Sequence, residues 1–174
     1  GNLGITMLVH GDTEQATKLL DESRTLFRDI GDSTNFAIGL IHSALAALIR
    51  GEFGRVQLLG EESLQLLQKA ENRQHIADCL EVMAGAAGAQ NRPQRAARLW
   101  GAAETLREEI GVPLQPEDRK VLDPYLATAH SSLDEIVWQT TLAEGRAMTL
   151  EQAIAYSLSP EYPVSPPPIT HRSD

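Results

Sequence analysis

Few side chains in this sequence stand at spacings that chemistry would use. His75 and Cys79 are four apart, half of a metal site on one helix face, but two ligands do not make a zinc site. A structural, partly buried pair is the reading preferred here. His10, His42, His130 and His171 are scattered, without a serine or cysteine partner at useful spacing, so nucleophilic catalysis has no support. Glu61-Glu62, Glu108-Glu109 and Glu81 offer carboxylates for acid–base work, yet on amphipathic helices they read as solvated faces. Arg92, Arg95 and Arg98 recur every third residue as the one basic ridge, again read as a solvated face rather than a phosphate or acidic-partner contact. Trp100 falls in the column of Leu20, which argues for core, and Trp138 reads as packing. No phosphate-loop motif and no basic recognition helix occurs. The expectation is a non-enzymatic chain with no cofactor and no metal.

The elements that carry these residues repeat. Gly11-Asp12, Gly51-Glu52 and Asn91-Arg92 are forty residues apart. The same shift aligns Ala16 with Val56 and Ala96, Leu19 with Leu59 and Leu99, Ser23 with Ser63 and Ala103, Leu26 with Leu66 and Leu106, and Gly4 with Ala44 and Ala84. A period of this length marks a stacked array of helical hairpins. Asp12 to Gln15 has the form of a capping box opening a helix to about Ile30, whose apolar stripe is Ala16, Leu19, Leu20, Leu26, Phe27 and Ile30. Gly31-Asp32-Ser33 ends it. Residues 36–50 are apolar nearly all round, a pattern that is either buried on both sides or presented to something. Gly51 breaks that helix and 55–70 forms the next; 76–90 and 93–110 are the third pair, with Pro93 in a tolerated first turn and Gly111-Val112-Pro113 as the stop. Beyond Gly111 the period is lost. A helix over 117–133 with a bend at Pro124, a short one over 134–144 and a last one from the capping box at Thr149 to Leu158 form a terminal cap. Prolines from Pro160 onward dictate an extended tail.

The chain has 174 residues, 42% hydrophobic and 22% charged, with a net charge of −9. That acidity disfavours binding to phosphate backbones. A single cysteine fits a reducing cytoplasm, and no run of apolar residues is long enough to span a membrane. Residues 3–9 align with 43–49, the end of a first helix, so the chain reads as part of a longer polypeptide.

Counting a unit from Ala37, the residues Ala44, Val56 and Ser63 occupy small-residue columns, and Leu40 the column usually held by tryptophan. This resembles a tetratricopeptide repeat stretched from about 34 residues to forty. The stretches LLDESRTLFRDIGD, LGEESLQLLQKAENR, RPQRAARLWGAAETLREEIGVPL and AEGRAMTLEQAIAYSL are similar to the C-terminal helical region of large bacterial regulators that join an ATPase module to such repeats, often with a LuxR-type DNA-binding domain. Gly60, Pro124 and the tail depart from the pattern. The resemblance implies an all-α, right-handed superhelix of repeats over 1–111, a helical cap over 112–158 and the tail over 159–174. It also implies a cytoplasmic regulatory region that binds a protein, a peptide (including one from the parent chain's own modules) or an inducer, with no direct nucleic-acid or membrane contact and a homodimer as an option. The groove positions of the family fall on Ile38, Ile41, Leu45, Leu48 and Ile49, then Asp78, Glu81, Gly85, Gly88 and Ala89, with Ile5, Leu8 and Val9 from the partial unit. An apolar stripe of this size is either covered by packing and the cap, or open to a partner's apolar helix. A rival expectation is a small-molecule receptor or enzyme whose pocket lies between the last repeat and the cap, lined by Tyr125, His130 and Trp138.

Overall fold

The computed structural model describes residues 13–159, and these form eight α-helices with no strand among them. In chain order they are α1 (Thr13–Asp29), α2 (Ser33–Ile49), α3 (Phe53–Lys69), α4 (Arg73–Ala89), α5 (Pro93–Ile110), α6 (Pro116–Ser131), α7 (Glu135–Arg146) and α8 (Leu150–Leu158). The expectations for His10, His171, the Asp12 cap, Ile5, Leu8, Val9 and the proline-rich tail lie outside the described residues.

The joints between the first helices are one device used repeatedly. Gly31, Gly51, Glu71, Asn91 and Gly111 all have positive φ. After each, the next residue donates its N–H to the carbonyl five back: Asp32 to Phe27, Glu52 to Ala47, Asn72 to Leu67, Arg92 to Ala87 and Val112 to Arg107. This Schellman bond satisfies carbonyls that the helix end would otherwise leave open. The following helix is then started by a side-chain cap where one is present, Asp32 accepting from Asn35 N at 3.0 Å and Asn72 from His75 N at 3.2 Å. Helices begin two to three residues earlier than the hydrophobic pattern alone indicates, because the caps, not the first apolar residue, set the start.

Successive helices pack as hairpins, α1 on α2, α2 on α3, α3 on α4 and α4 on α5, and α2 also meets α4. The small columns sit at these contacts: Ala16, Val56, Ala96, Ala103, Ala84 and Ser63 are sealed from solvent. Ser63 donates to the Ala37 carbonyl at 2.9 Å, so its hydroxyl ties α3 to α2 rather than sitting unpaired in the core. Gly60 has an equally local reason. A Cβ there would lie 2.9 Å from Met83 Sδ, so glycine lets the flexible Met83 side chain pack directly on the α3 backbone, and a larger residue would have to displace that thioether.

One expected stripe is buried only in part, at Ala16 and Leu20. Leu26 and Ile30 are 59% and 64% exposed, although Leu106, two periods on from Leu26, is only 5% exposed. The face of α5 bearing Leu106 is covered by α4 and α8, whereas α1 packs on α2. The covering helices, not the side chain, decide burial at this column.

The three last helices wrap the array. α6 lies on α4 and α5, α7 lies on α5, and α8 reaches α5 and α3. α7 crosses α5 almost backbone to backbone, since a Cβ on Gly101 would come 2.3 Å from the Leu142 carbonyl oxygen and one on Gly145 would come 2.1 Å from that of Arg98. Thr149 and Gln152 form the reciprocal capping box that starts α8.

Candidate functional site

The inner face of α2 and α4 is where most of the sequence-derived groove residues meet. Ile41, Leu45, Leu48, Glu81, Gly85 and Gly88 are buried there, while Ile38, Asp78 and Ala89 are half-buried; Ile49 packs instead beside Ala16, Leu20 and Ala46, on the side of α2 that meets α1. The face is occupied by α6. A Cβ on Gly85 would touch Leu48 at 3.0 Å and Leu122 at 3.1 Å, and one on Gly88 would lie 2.6 Å from the Tyr125 carbonyl oxygen. These two glycines cut a notch in α4: Gly88 admits the backbone of α6, and Gly85 makes room for the Leu122 side chain. Tyr125 Oη then reaches across to donate to the Leu48 carbonyl at 3.4 Å. Leu122, Leu126 and Ala129 are the buried residues of α6.

Charged groups gather at one end of this face. Arg107 Nε donates to Glu81 Oε1 at 2.9 Å and its Nη2 to Glu81 Oε2 at 2.8 Å, and the same Nη2 pairs with Asp78. Glu81 is 3% exposed and Arg107 8%. Glu81 is therefore no solvated carboxylate, and that expectation is corrected. A fork of guanidinium donors satisfies both of its oxygens, which is what permits its burial. Burial still outweighs that pairing and pushes the Glu81 carboxyl above its ordinary value. Burial works against the Arg107 charge, but Glu81 and Asp78 more than offset it and raise its pKa. Asp118, in the first turn of α6, is raised by burial and then by the neighbouring Asp78. A cavity of about 40 Å³ lies among Ile41, His42, Leu45, Asp78, Glu81, Leu114 and Asp118. Burial holds the His42 imidazole down at about 4, so it is neutral at pH 7 and lends no positive charge.

Two arginines of the basic ridge, Arg95 and Arg98, are engaged rather than solvated, while Arg92 is exposed. Arg95 is 5% exposed and donates to the carbonyls of Tyr156 at 3.3 Å and Ser157 at 2.7 Å, at the C-terminal end of α8, with the Tyr156 ring 5.1 Å away. A cation at the negative end of a helix dipole is a favourable clasp. Arg98 pairs with Glu144 of α7 at 2.7 Å. Across the other side, Arg146 bridges Glu104 and Glu108, and Arg73 pairs with Glu109. The sequence offers one signal for Arg95: it stands one residue before the sealed column of Ala96.

His75 and Cys79 do not converge on a ligand. His75 Nδ1 meets Asn72 Oδ1 at 2.9 Å, and Cys79 Sγ lies 3.5 Å from the Gly60 carbonyl. Burial raises the Cys79 thiol to about 12. No group of three or more metal-ligating side chains gathers among the described residues. Trp100 and Trp138 are buried, the latter stacked on His130 at 4.6 Å and packed among Ala87, Ala96, Ala97 and Ala129. Tyr125 turns its hydroxyl to the Leu48 carbonyl on α2. The space between the last hairpin and the cap is instead a cavity of about 400 Å³ with Leu80, Ala102, Leu106 and Met148 on its walls and Arg73 and Arg146 at its edge. No described helix is long and apolar enough to cross a membrane. Compared with family models, with curated proteins and with solved structures, the chain matches none.

Proposed function

We propose that this chain is a non-catalytic, tetratricopeptide-like interaction and regulatory region, acting within a multidomain bacterial signalling or transcription regulator of the LuxR type. The fold part of this reading, including a right-handed superhelix, is supported by the forty-residue period of caps and joints and by the sealed small-residue columns. The regulatory part rests on the resemblance of the repeat wording. The single observation that favours protein binding is the seating of α6 in the glycine notch of α4: a face that already holds one helix has the shape to hold another. A partner would compete with α6, and the exchange would shift the balance between two states of an attached output module.

The test is a pull-down from source lysate with three folded baits: the chain itself, Leu126→Asp to unseat α6, and Leu126→Asp combined with Leu45→Asp to spoil the groove. A protein enriched by the second bait and lost with the third supports the reading. Equal capture by all three removes it. A second reading, a small-molecule receptor, is favoured by the cavity of about 400 Å³ beside α8, a volume within the range of ligand sites. A rise in melting temperature on adding an inducer candidate, lost with Ala102→Phe, would favour it.

A further inference from the structure

In the notch between α4 and α6, Gly88 takes the Tyr125 backbone and Gly85 the side chain of Leu122, so a helix that comes as close and carries a leucine at that place fills it as α6 does. Charge is where α6 fits badly. Arg107 pairs with Asp78 and Glu81, and Asp118 lines the same small cavity as these two acids, so three carboxylates share a corner with one guanidinium. The other basic groups nearby do not redress this. His42 is neutral, His75 stands 4.0 Å from Asp78, and Arg119 pairs with Asp123 on its own helix at 3.5 Å. Asp118 comes from α6 itself. In the first turn it favours the α6 dipole, but it adds a like charge to a corner that is already acidic. The rest of the α6 seat is slight: three buried residues, against twelve in α4, and an internal Pro124 that removes one helical hydrogen bond.

We infer that the occupant this groove selects over α6 is an amphipathic helix of a partner protein that brings a lysine or arginine to the corner where α6 brings Asp118. This rests on the groove reading above and adds the partner's chemistry to it. The apolar contacts and the close approach of backbones are shared by both helices; the basic side chain supplies the second cation that Asp78 and Glu81 lack.

The experiment uses two fluorescein-labelled synthetic peptides covering 115–132, one with the native sequence and one with Asp118→Lys. Each is titrated by anisotropy into the full chain carrying Leu126→Asp, and into a milder variant, Tyr125→Ala, which removes the Leu48 contact. Circular dichroism establishes that each variant retains its helices. The expected result is that the lysine peptide binds tighter than the native one by about fivefold, and that Asp78→Asn in the protein erases the preference. If the two peptides bind equally, the inference is overturned while the groove reading stands. If neither binds either folded variant, both fall. Binding that survives Leu45→Asp places the peptides elsewhere and also overturns it.

Discussion

Arg107→Met is the substitution with the most to report, because it removes the guanidinium that makes the burial of Glu81 tolerable. Met keeps the volume and the apolar stem, so what changes is charge and hydrogen bonding. Three donor contacts are lost, two to Glu81 and one to Asp78. Breaking one side of a buried pair costs about 3–5 kcal/mol, since the other charge stays buried without compensation. Against a domain stability of about 5–15 kcal/mol that is a large fraction, and the urea midpoint should fall steeply with little change in slope. The sign of the pH dependence follows from Glu81. Its folded pKa already lies above the unfolded value because of burial, and loss of Arg107 raises it further. A raised carboxylate pKa means that the folded state holds the proton more tightly, so stability is lost as pH rises through that window and regained as pH falls. The penalty should therefore be largest at about pH 7.5 and shrink by more than half at about pH 4.5, near the unfolded value for glutamate. Glu81→Gln added to Arg107→Met should recover most of the loss, to within about 1–2 kcal/mol of the parent, because no charge is then stranded. Urea melts at the two pH values are the assay. A cost under about 1 kcal/mol that is equal at both pH values would refute the reasoning, showing that Glu81 reaches water when unpaired.

Gly145→Ala should be more damaging than its size indicates. Its Cβ would sit inside the Arg98 carbonyl, so α7 must move away from α5, at a cost of about 3 kcal/mol or more, read as a drop in melting temperature. Arg95→Ala strips the clasp from α8 and should cost about 1.5–3 kcal/mol, with faster amide exchange confined mainly to Ala153–Leu158 by hydrogen-exchange mass spectrometry; exchange rising evenly along the chain would count against the clasp. Cys79, buried with its thiol raised to about 12, should resist a thiol reagent at neutral pH until the chain unfolds, and rapid labelling of native protein would contradict its burial.

Much of the architecture was legible because its causes are local. The break at Gly51, the stop at Gly111, the Thr149 capping box and the forty-residue recurrence of small residues all act within a few residues of themselves, and each lies where the pattern predicts it. The pairing of charges was not legible. Glu81 finds Arg107 twenty-six residues away and Arg95 finds Ser157 sixty-two away, so a periodicity argument sees only polar residues on helices and assigns them to water. The groove lay between. Residue types identified the face, but whether it is open depends on Gly85 and Gly88 admitting α6, a contact made by the absence of side chains. Gly101 and Gly145 carry the same hidden message for α7.

The evenly spaced left-handed joints at Gly31, Gly51, Glu71, Asn91 and Gly111 have a consequence for how such a chain can change length. Every rod between them has nearly the same number of residues, and neighbouring rods run in opposite directions. Excising 33–72 would splice Asp32 directly to Arg73, leaving a cap, a joint and the alternation of directions intact. Excising 53–72 would instead join Glu52 to Arg73 and reverse every later rod, turning sealed faces outward. By this geometry the alternation of directions survives length changes only in steps of two rods, and a hairpin taken from 33–72 also removes the Leu48 carbonyl that Tyr125 reaches and the α3 surface that meets α8.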